Sequence, residues 1–239
     1  MKKKDLVNSY WQDIDIRLEK LLEYGSVKLP SLDQFDLNLI ANEISSEMDS
    51  VTFKESGSRH MKFLDELKLS TYLSPKLLKI AQSFSNYKGG LSNQYHIARK
   101  VKPGNSKEMY RVHFDSHIFT MVLPIKIPSA ADNGKCGELV YFPKVRENPK
   151  SEIKNFLDKL YFKKYASKNG LENLVNSRSN IIDDFRDYRP LLFFGKTTLH
   201  TNYPVSELCT SYRLTLLAHF FDDTPRYGIG NLLRLFRRR

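Results

Sequence analysis

A short run of histidine and aspartate gives the sequence its clearest chemical signal. His113, Asp115 and His117 alternate along a segment rich in branched and aromatic residues, so in an unbroken strand all three would project from one face. Side chains two residues apart on a strand can converge on one metal ion, with about 2.0–2.2 Å to each ligand atom. A third ligand from another strand would complete a facial set of two histidines and one carboxylate.

Further along the chain, the sequence offers a candidate third ligand and a candidate anion-binding group. His200 follows an apolar strand and a tight turn, shortly before Pro204. Arg213 lies inside an otherwise apolar strand, where a guanidinium is costly unless it meets a carboxylate or phosphate. Arg213 therefore predicts an anionic partner, either a ligand or an internal acid such as Glu138.

Two other histidines have more than one interpretation. His117 could replace His113 as a ligand, contact a substrate, or point away if the strand bulges. His219 shares the strand parity of Arg213, but its pattern favours a hydrogen-bonded core histidine.

The order of these elements resembles the iron(II)/2-oxoglutarate-dependent dioxygenases, especially their prolyl-hydroxylase-like branch. The similarity covers residues 93–222 and depends on an ordered series of motifs: His113-x-Asp115, the strand 120–125, the segment 137–143, His200 with Pro204-Val205, and Arg213.

The resemblance implies that His113, Asp115 and His200 bind iron(II) and that Arg213 pairs with the distal carboxylate of 2-oxoglutarate. Three protein ligands leave three positions on an octahedral iron, two for 2-oxoglutarate and one for O2. The implied reaction releases succinate and CO2 and hydroxylates a C–H bond. Halogenating relatives replace the carboxylate with a small residue, so Asp115 favours hydroxylation or a related oxidation.

The sequence departs from the family pattern at two points. Arg213 follows His200 by thirteen residues, a slightly longer interval than is usual in the family. Position 124, where prolyl hydroxylases often offer a tyrosine to the cosubstrate, is Pro124. Three residues are candidate substitutes for that contact: Tyr110, Tyr141 and Thr215.

The elements that must position these residues divide the chain into a helical part and a β-rich part. Apolar spacing predicts helices over 6–24, ending at Gly25, over 32–48, and, as two helices, over 60–87, where Ser74-Pro75 supplies the second start. Branched and aromatic residues predict strands over 94–101, 109–128, 137–143, 191–195, 197–204 and 211–222. A helix over 151–169, ending at Asn169-Gly170, interrupts the strands.

Helices followed by short strands predict an α+β fold, with helices bracing a sandwich or barrel. The resemblance specifies a double-stranded β-helix, or jelly-roll, core. We expect a single domain over 1–239, with a helical support region over 1–92 and the catalytic core over 93–239.

The composition indicates whether the chain folds, in which compartment it works and what charge its partners have. In 239 residues, 41% are hydrophobic and 27% charged, which is typical of a folded chain and not of a disordered one. The sequence has no apolar run of about 18 residues and no apolar signal core, and it has two cysteines, which predicts a cytoplasmic protein. The net charge of +11 predicts acidic partners.

The basic residues suggest several partners. The C-terminal Arg234, Arg237, Arg238 and Arg239 are interleaved with Leu232, Leu233, Leu235 and Phe236, which is typical of a peripheral membrane contact or of a frayed terminus. No basic stripe interleaved with aromatics indicates nucleic acid. Lysines and arginines within 151–187 favour a small, acidic substrate, although a solvated helix face would have the same composition.

Several other functions remain open at this point. A cupin-like zinc or iron site could catalyse a non-oxidative reaction. A jelly-roll module could instead bind an acidic ligand without a metal. Within the oxygenase interpretation, a protein prolyl side chain is an alternative substrate.

Overall fold

The computed structural model describes residues 3–48, 52–55, 57–105, 109–130, 134–149 and 151–223. The helices are α1 Lys3–Tyr10, α2 Ile14–Tyr24, α3 Leu37–Ser46, α4 Ser58–Glu66, α5 Leu69–Tyr72, α6 Ser74–Ser85, α7 Glu152–Lys163 and α8 Lys168–Ser177. The strands are β1 Ser26–Lys28, β2 Phe53–Glu55, β3 Gln94–Val101, β4 His117–Lys126, β5 Leu139–Phe142, β6 Ile181–Asp183, β7 Leu191–Phe194, β8 Leu199–Asn202 and β9 Arg213–Asp222.

The strands form two antiparallel sheets, so the predicted α+β class is confirmed. The larger sheet has six strands in the order β1-β7-β4-β9-β3-β2, and the smaller has three in the order β6-β5-β8. Val122 and Leu217 from the larger sheet pack in one hydrophobic cluster with Leu139 and Tyr141 from the smaller sheet. The two sheets therefore pack face to face through their inner side chains.

The N-terminal helices cover the opposite face of the larger sheet. Their apolar side chains share one buried cluster with Phe119, Met121 and Leu123 of β4. Thr120 and Val122, at the alternate positions of the same strand, face the space between the sheets. The period of two along β4 thus separates a helix-packing face from a cavity-lining face.

The first predicted helix is interrupted in the structure. Its 6–24 span divides into α1 and α2, separated by a turn around Trp11, whose indole N–H donates to the Leu67 carbonyl over 2.7 Å. The helix stop at Gly25 is confirmed, since this glycine has a φ of 82° and its N–H donates to the carbonyl of Leu21.

The helix predicted over 151–169 is also two helices. α7 ends at Lys163, and Ser167 begins α8 by accepting a 3.1 Å hydrogen bond from the N–H of Gly170. The predicted stop at Asn169-Gly170 is therefore wrong, because a serine cap in front of it starts a new helix through the same residues.

The strand predicted over 109–128 starts later than expected, at His117. Residues 109–116 leave the larger sheet and run toward the smaller one, where His113 pairs with His200. The strands β1, β2 and β6 have three residues each, too few for a recognisable period.

Two features concern a membrane contact. Within the described ranges, no helix combines the length and the apolar character needed to cross a membrane. The basic residues Arg234, Arg237, Arg238 and Arg239 lie outside the described residues, so the predicted peripheral contact of the tail stays a prediction.

Gly25 offers a test of how the helical layer is joined to the sheet. Its carbonyl accepts a 3.1 Å hydrogen bond from the Phe194 N–H, and its positive φ disfavours any L-residue. We expect Gly25→Ala to lower the free energy of unfolding by about 1–2 kcal/mol, measured by denaturant titration. Gly90→Ala is the control: Gly90 has no atom within 4 Å of the added methyl, so the change should stay within about 0.5 kcal/mol. Equal effects of the two variants would contradict this account.

Candidate metal centre

His113, Asp115 and His200 meet where the two sheets approach each other. His113 and His200 form an isolated antiparallel bridge, with backbone hydrogen bonds of 3.0 Å in both directions. The Asp115 N–H donates to the Gly195 carbonyl over 3.0 Å. The segment that carries the first two residues is thus fixed to β8 on one side and to the end of β7 on the other.

The side chains of these three residues converge. Asp115 Oδ1 lies 3.6 Å from His113 Nε2, and Asp115 Oδ2 lies 3.6 Å from His200 Nε2. The centroids of the two imidazole rings are 4.3 Å apart. One ligand atom from each residue lies within 4.8 Å of the other two.

The hydrogen bonds of the two imidazoles fix which nitrogen carries the proton. His113 Nδ1 lies 2.5 Å from the Arg111 carbonyl, and His200 Nδ1 lies 3.2 Å from the Thr198 carbonyl. A carbonyl only accepts, so each Nδ1 is the protonated nitrogen in the neutral ring. Each Nε2 then turns a lone pair toward Asp115, and backbone carbonyls play this orienting role for many metal-bound histidines.

A second layer of hydrogen bonds holds the Asp115 carboxylate. The Thr120 hydroxyl donates to Asp115 Oδ2 over 2.5 Å, and His219 Nδ1 lies 3.0 Å from the same hydroxyl oxygen. The Thr120 hydroxyl donates its single proton to Asp115, so its oxygen accepts the Nδ1–H of His219. The buried His219 is therefore hydrogen-bonded, and Thr120 joins it to the carboxylate.

The electrostatics of the cluster favour a charged aspartate beside a neutral histidine. Burial opposes ionisation of Asp115, but His200, His219 and His113, together with the Thr120 hydrogen bond, hold its pKa well below the usual range. Partial desolvation of His113, whose side chain is 51% exposed, and the adjacent His200 lower the pKa of His113 below its usual value. At neutral pH these are the protonation states that metal ligands adopt.

Gly195 makes the close approach around Asp115 possible. A methyl group at this position would lie 2.7 Å from the His117 carbonyl oxygen and 2.9 Å from the Asp115 Cβ. Any side chain there would push the aspartate away from its two histidines. The sequence marks Gly195 as the end of a strand and gives no sign of this steric role.

Arg213 is buried close to the same centre. Its side chain is 3% exposed, and Nη2 has no hydrogen-bond partner among the described residues. Burial and the neighbouring Arg99 lower the pKa of Arg213. Within the described part of the chain no ion pair joins Arg213 to Glu138, whose Oε1 accepts the N–H of Cys136. The guanidinium therefore has a buried N–H group that only a further acceptor can satisfy.

One cavity of about 630 Å³ connects these groups. It is lined by the three converging side chains and by Arg213 and Thr215. Thr215 is two residues from Arg213 on β9, so both side chains project from the same face.

The other sequence candidates lie elsewhere. Tyr110 packs against Tyr203, with ring centroids 6.5 Å apart, and does not line the cavity. Tyr141 is buried in the cluster between the sheets and also lies outside the cavity lining. His117 does line the cavity, but its ring stacks on His219 at 4.8 Å and does not join the converging cluster.

Sequence reasoning missed Thr120, Gly195 and the two carbonyls that orient the histidines. Thr120 left a weak signal, because it is a single hydroxyl in an otherwise apolar stretch of β4. The carbonyls left none, because every residue type carries one.

Comparison with known proteins identifies the fold. No family model and no curated protein matches the chain. Among solved structures, the non-haem α-ketoglutarate-dependent carbocyclase SnoK of nogalamycin biosynthesis is similar with a TM-score of 0.54 and 16% identity, over 91% of this chain and 89% of SnoK. IDO from Bacillus thuringiensis is similar with a TM-score of 0.50 and 11% identity, over 88% of this chain and 95% of IDO. The chain therefore shares the fold of a non-haem α-ketoglutarate-dependent enzyme, and at the level of the fold this confirms the resemblance to the iron(II)/2-oxoglutarate-dependent oxygenases.

Proposed function

We propose that the protein is an iron(II)- and 2-oxoglutarate-dependent dioxygenase that hydroxylates a C–H bond of a small molecule and releases succinate and CO2. The observation that carries the proposal is the convergence of His113, Asp115 and His200 in one cavity with the buried Arg213. The shared fold with SnoK supports it.

The three converging residues fit the proposed metal. Two imidazole lone pairs and a carboxylate point at each other without a proton between them, and a cation relieves that repulsion. Two histidines and one carboxylate form the set typical of non-haem iron(II) oxygenases, with positions left open for other ligands. Bound there with 2-oxoglutarate, iron(II) would supply the activation of O2 and the oxidation of the substrate.

Arg213 and Thr215 would hold the cosubstrate. The unsatisfied N–H of Arg213 would donate to the distal carboxylate of 2-oxoglutarate, forming a charge-assisted hydrogen bond. Thr215 on the same face of β9 would add its hydroxyl. We propose Thr215 for the contact that the family often assigns to a tyrosine, because Tyr110 and Tyr141 do not line the cavity.

The proposal extends to the architecture. Two antiparallel sheets packed face to face are consistent with a double-stranded β-helix core, and the cavity lies between them. Helices α1–α6 share a buried cluster with β4 and β9. This shared cluster supports a single domain in which residues 1–92 support a catalytic core over 93–239.

Formation of the iron chelate is the first test. Anaerobic addition of iron(II) and 2-oxoglutarate should produce the weak visible charge-transfer band of the chelate. His200→Ala should abolish the band, because it removes one of three metal ligands. His96→Ala is the control, since His96 does not line the cavity, and it should keep the band. No band with folded wild-type protein, or a full band with His200→Ala, would refute the proposed function.

Arg213 should determine cosubstrate affinity and not iron affinity. Arg213→Ala should weaken 2-oxoglutarate binding by about 2–5 kcal/mol, because a buried charge-assisted pair is lost. Metal analysis should show the same iron content in Arg213→Ala as in the wild type. The 2-oxoglutarate affinity of Arg213→Lys should lie between those of the wild type and Arg213→Ala, since a lysine keeps the charge but lacks the planar guanidinium. Calorimetric titration measures the three affinities, and equal affinities would argue for a purely structural arginine.

Thr120 should affect the metal through Asp115. Thr120→Val keeps the shape of the side chain but removes the hydroxyl that donates to Asp115. We expect iron(II) affinity to fall about 10–100-fold, as for other partners of metal ligands. Competition with a metal indicator measures this. Thr197→Val, at a buried threonine outside the cavity lining, is the control, and an equal loss there would assign the effect to general destabilisation.

A further inference from the structure

Helix α7 has an exposed apolar face. Five large apolar side chains follow the spacing i, i+3, i+4, i+7 and i+8, which places them on one side of the helix: Ile153, Phe156, Leu157, Leu160 and Tyr161. Their exposed fractions lie between 38% and 62%. Single exposed apolar residues are common on protein surfaces, but five on one face of a helix form a patch of the kind that marks an interaction site.

The polar side of α7 packs against the protein. The Arg146 guanidinium donates to Asp158 over 2.9 Å and to Asn155 over 2.8 Å, and its central carbon lies 3.8 Å from the centre of the Phe114 ring. Phe162 is the buried residue of this helix. Polar contacts therefore hold much of α7 in place and leave its apolar face to solvent, which reverses the usual orientation of an amphipathic surface helix.

The charged residues of α7 are also divided between its two sides. Lys154 and Lys163 are exposed, as is Lys164 directly after the helix. The two acids are half-buried: Asp158 accepts from the buried side, as described above, and the Oε1 atom of Glu152 is buried. The exposed charges beside the apolar face are therefore positive.

Lysines beside an exposed apolar face suit an anionic lipid surface. An interfacial helix buries its apolar side at the level of the headgroups, and its basic residues lie against anionic lipids. Tyr161 adds a ring with a polar end, a residue type enriched at membrane interfaces. Lys164 Nζ lies 3.9 Å from the centre of that ring, so charge and apolar surface are adjacent.

The same charges disfavour two other occupants of this face. A second copy of the chain would bring its own lysines against those of the first, and each chain has a net charge of +11. The C-terminal segment 224–239 contains five arginines and no acid, so it has the same sign as the lysines. An anionic phospholipid surface has the opposite sign and attracts both.

We infer that α7 docks the protein peripherally on an anionic membrane surface, with its apolar face among the lipid headgroups and Lys154 and Lys164 beside them. This contact is independent of the proposed function. Phe162 lines the cavity, whereas its neighbour Tyr161 is exposed. Helix α7 therefore lies between the docked membrane and the cavity.

Vesicle binding by the full chain tests the inference. Vesicles of phosphatidylcholine with about 30% phosphatidylserine should bind the protein about tenfold or more tightly than vesicles of phosphatidylcholine alone. Cosedimentation at about 0.1 M salt measures both affinities. Raising the salt to about 0.5 M should weaken binding to the anionic vesicles, because salt screens exposed charges.

A pair of leucine substitutions locates the contact. Leu157→Ser/Leu160→Ser should lower the affinity for the anionic vesicles about tenfold or more, because two apolar side chains no longer enter the lipid interface. Leu22→Ser/Leu39→Ser makes the same change at exposed leucines of α2 and α3, and this control should bind as the wild type does. Circular dichroism checks that each variant is folded.

A pair of lysine substitutions tests the charge. Lys154→Gln/Lys164→Gln should also lower the affinity for the anionic vesicles about tenfold or more, because two cations next to the lipid headgroups are lost. Lys20→Gln/Lys62→Gln removes the same net charge at exposed lysines of α2 and α4 and should stay close to the wild type.

Several results would overturn the inference. These are no binding to either kind of vesicle, equal binding to both, or equal losses in a variant and its control. Unchanged binding in Leu157→Ser/Leu160→Ser would place the contact elsewhere in the chain. A dimer in sedimentation velocity that this variant abolishes, without vesicle binding by the wild type, would assign the apolar face to a second copy. The iron chelate is measured separately, so failure of the proposed function remains distinguishable.

Discussion

The backbone pairing of His113 with His200 is the contact on which the site depends. It joins the segment before β4 to β8 of the other sheet with two hydrogen bonds, and it sets two imidazoles side by side. Asp115 is then brought against both rings by its own hydrogen bond to the Gly195 carbonyl. The candidate ligand atoms of His113 and Asp115 meet that of the distant His200 because main-chain hydrogen bonds hold the three backbones together.

The site contains buried groups that the rest of the chain does not neutralise. The lone pairs of two imidazoles face a carboxylate, and Arg213 keeps a buried N–H without an acceptor in the described residues. An unsatisfied buried group of this kind costs about 1–3 kcal/mol, and more when it is charged. Such conflicts are expected at functional sites, where a bound ligand supplies the missing partner.

The surrounding fold stabilises this arrangement because β4 and β9 each pack one face against the helices and line the cavity with the other. In β4, Phe119 and Met121 pack under the helices, whereas Thr120 faces the cavity and holds Asp115. In β9, Leu214 and Leu216 join the same helical cluster, whereas Arg213 and Thr215 line the cavity. The helices therefore stabilise strands whose other face carries polar groups that contribute little to stability.

The sequence by itself determined the residue types of the site, the α+β class, and β3 with its bounds, because these depend on composition, local order and a period of two. It predicted the break at Gly25, which depends on one positive φ, but it missed the turn at Trp11, which depends on a contact with Leu67. Tertiary structure alone decided that residues 109–116 leave the larger sheet, that Tyr110 and Tyr141 lie outside the cavity, and that Thr120 and Gly195 support Asp115. These outcomes depend on hydrogen bonds and close contacts between residues far apart in the chain, and no local pattern records which distant group a side chain will meet.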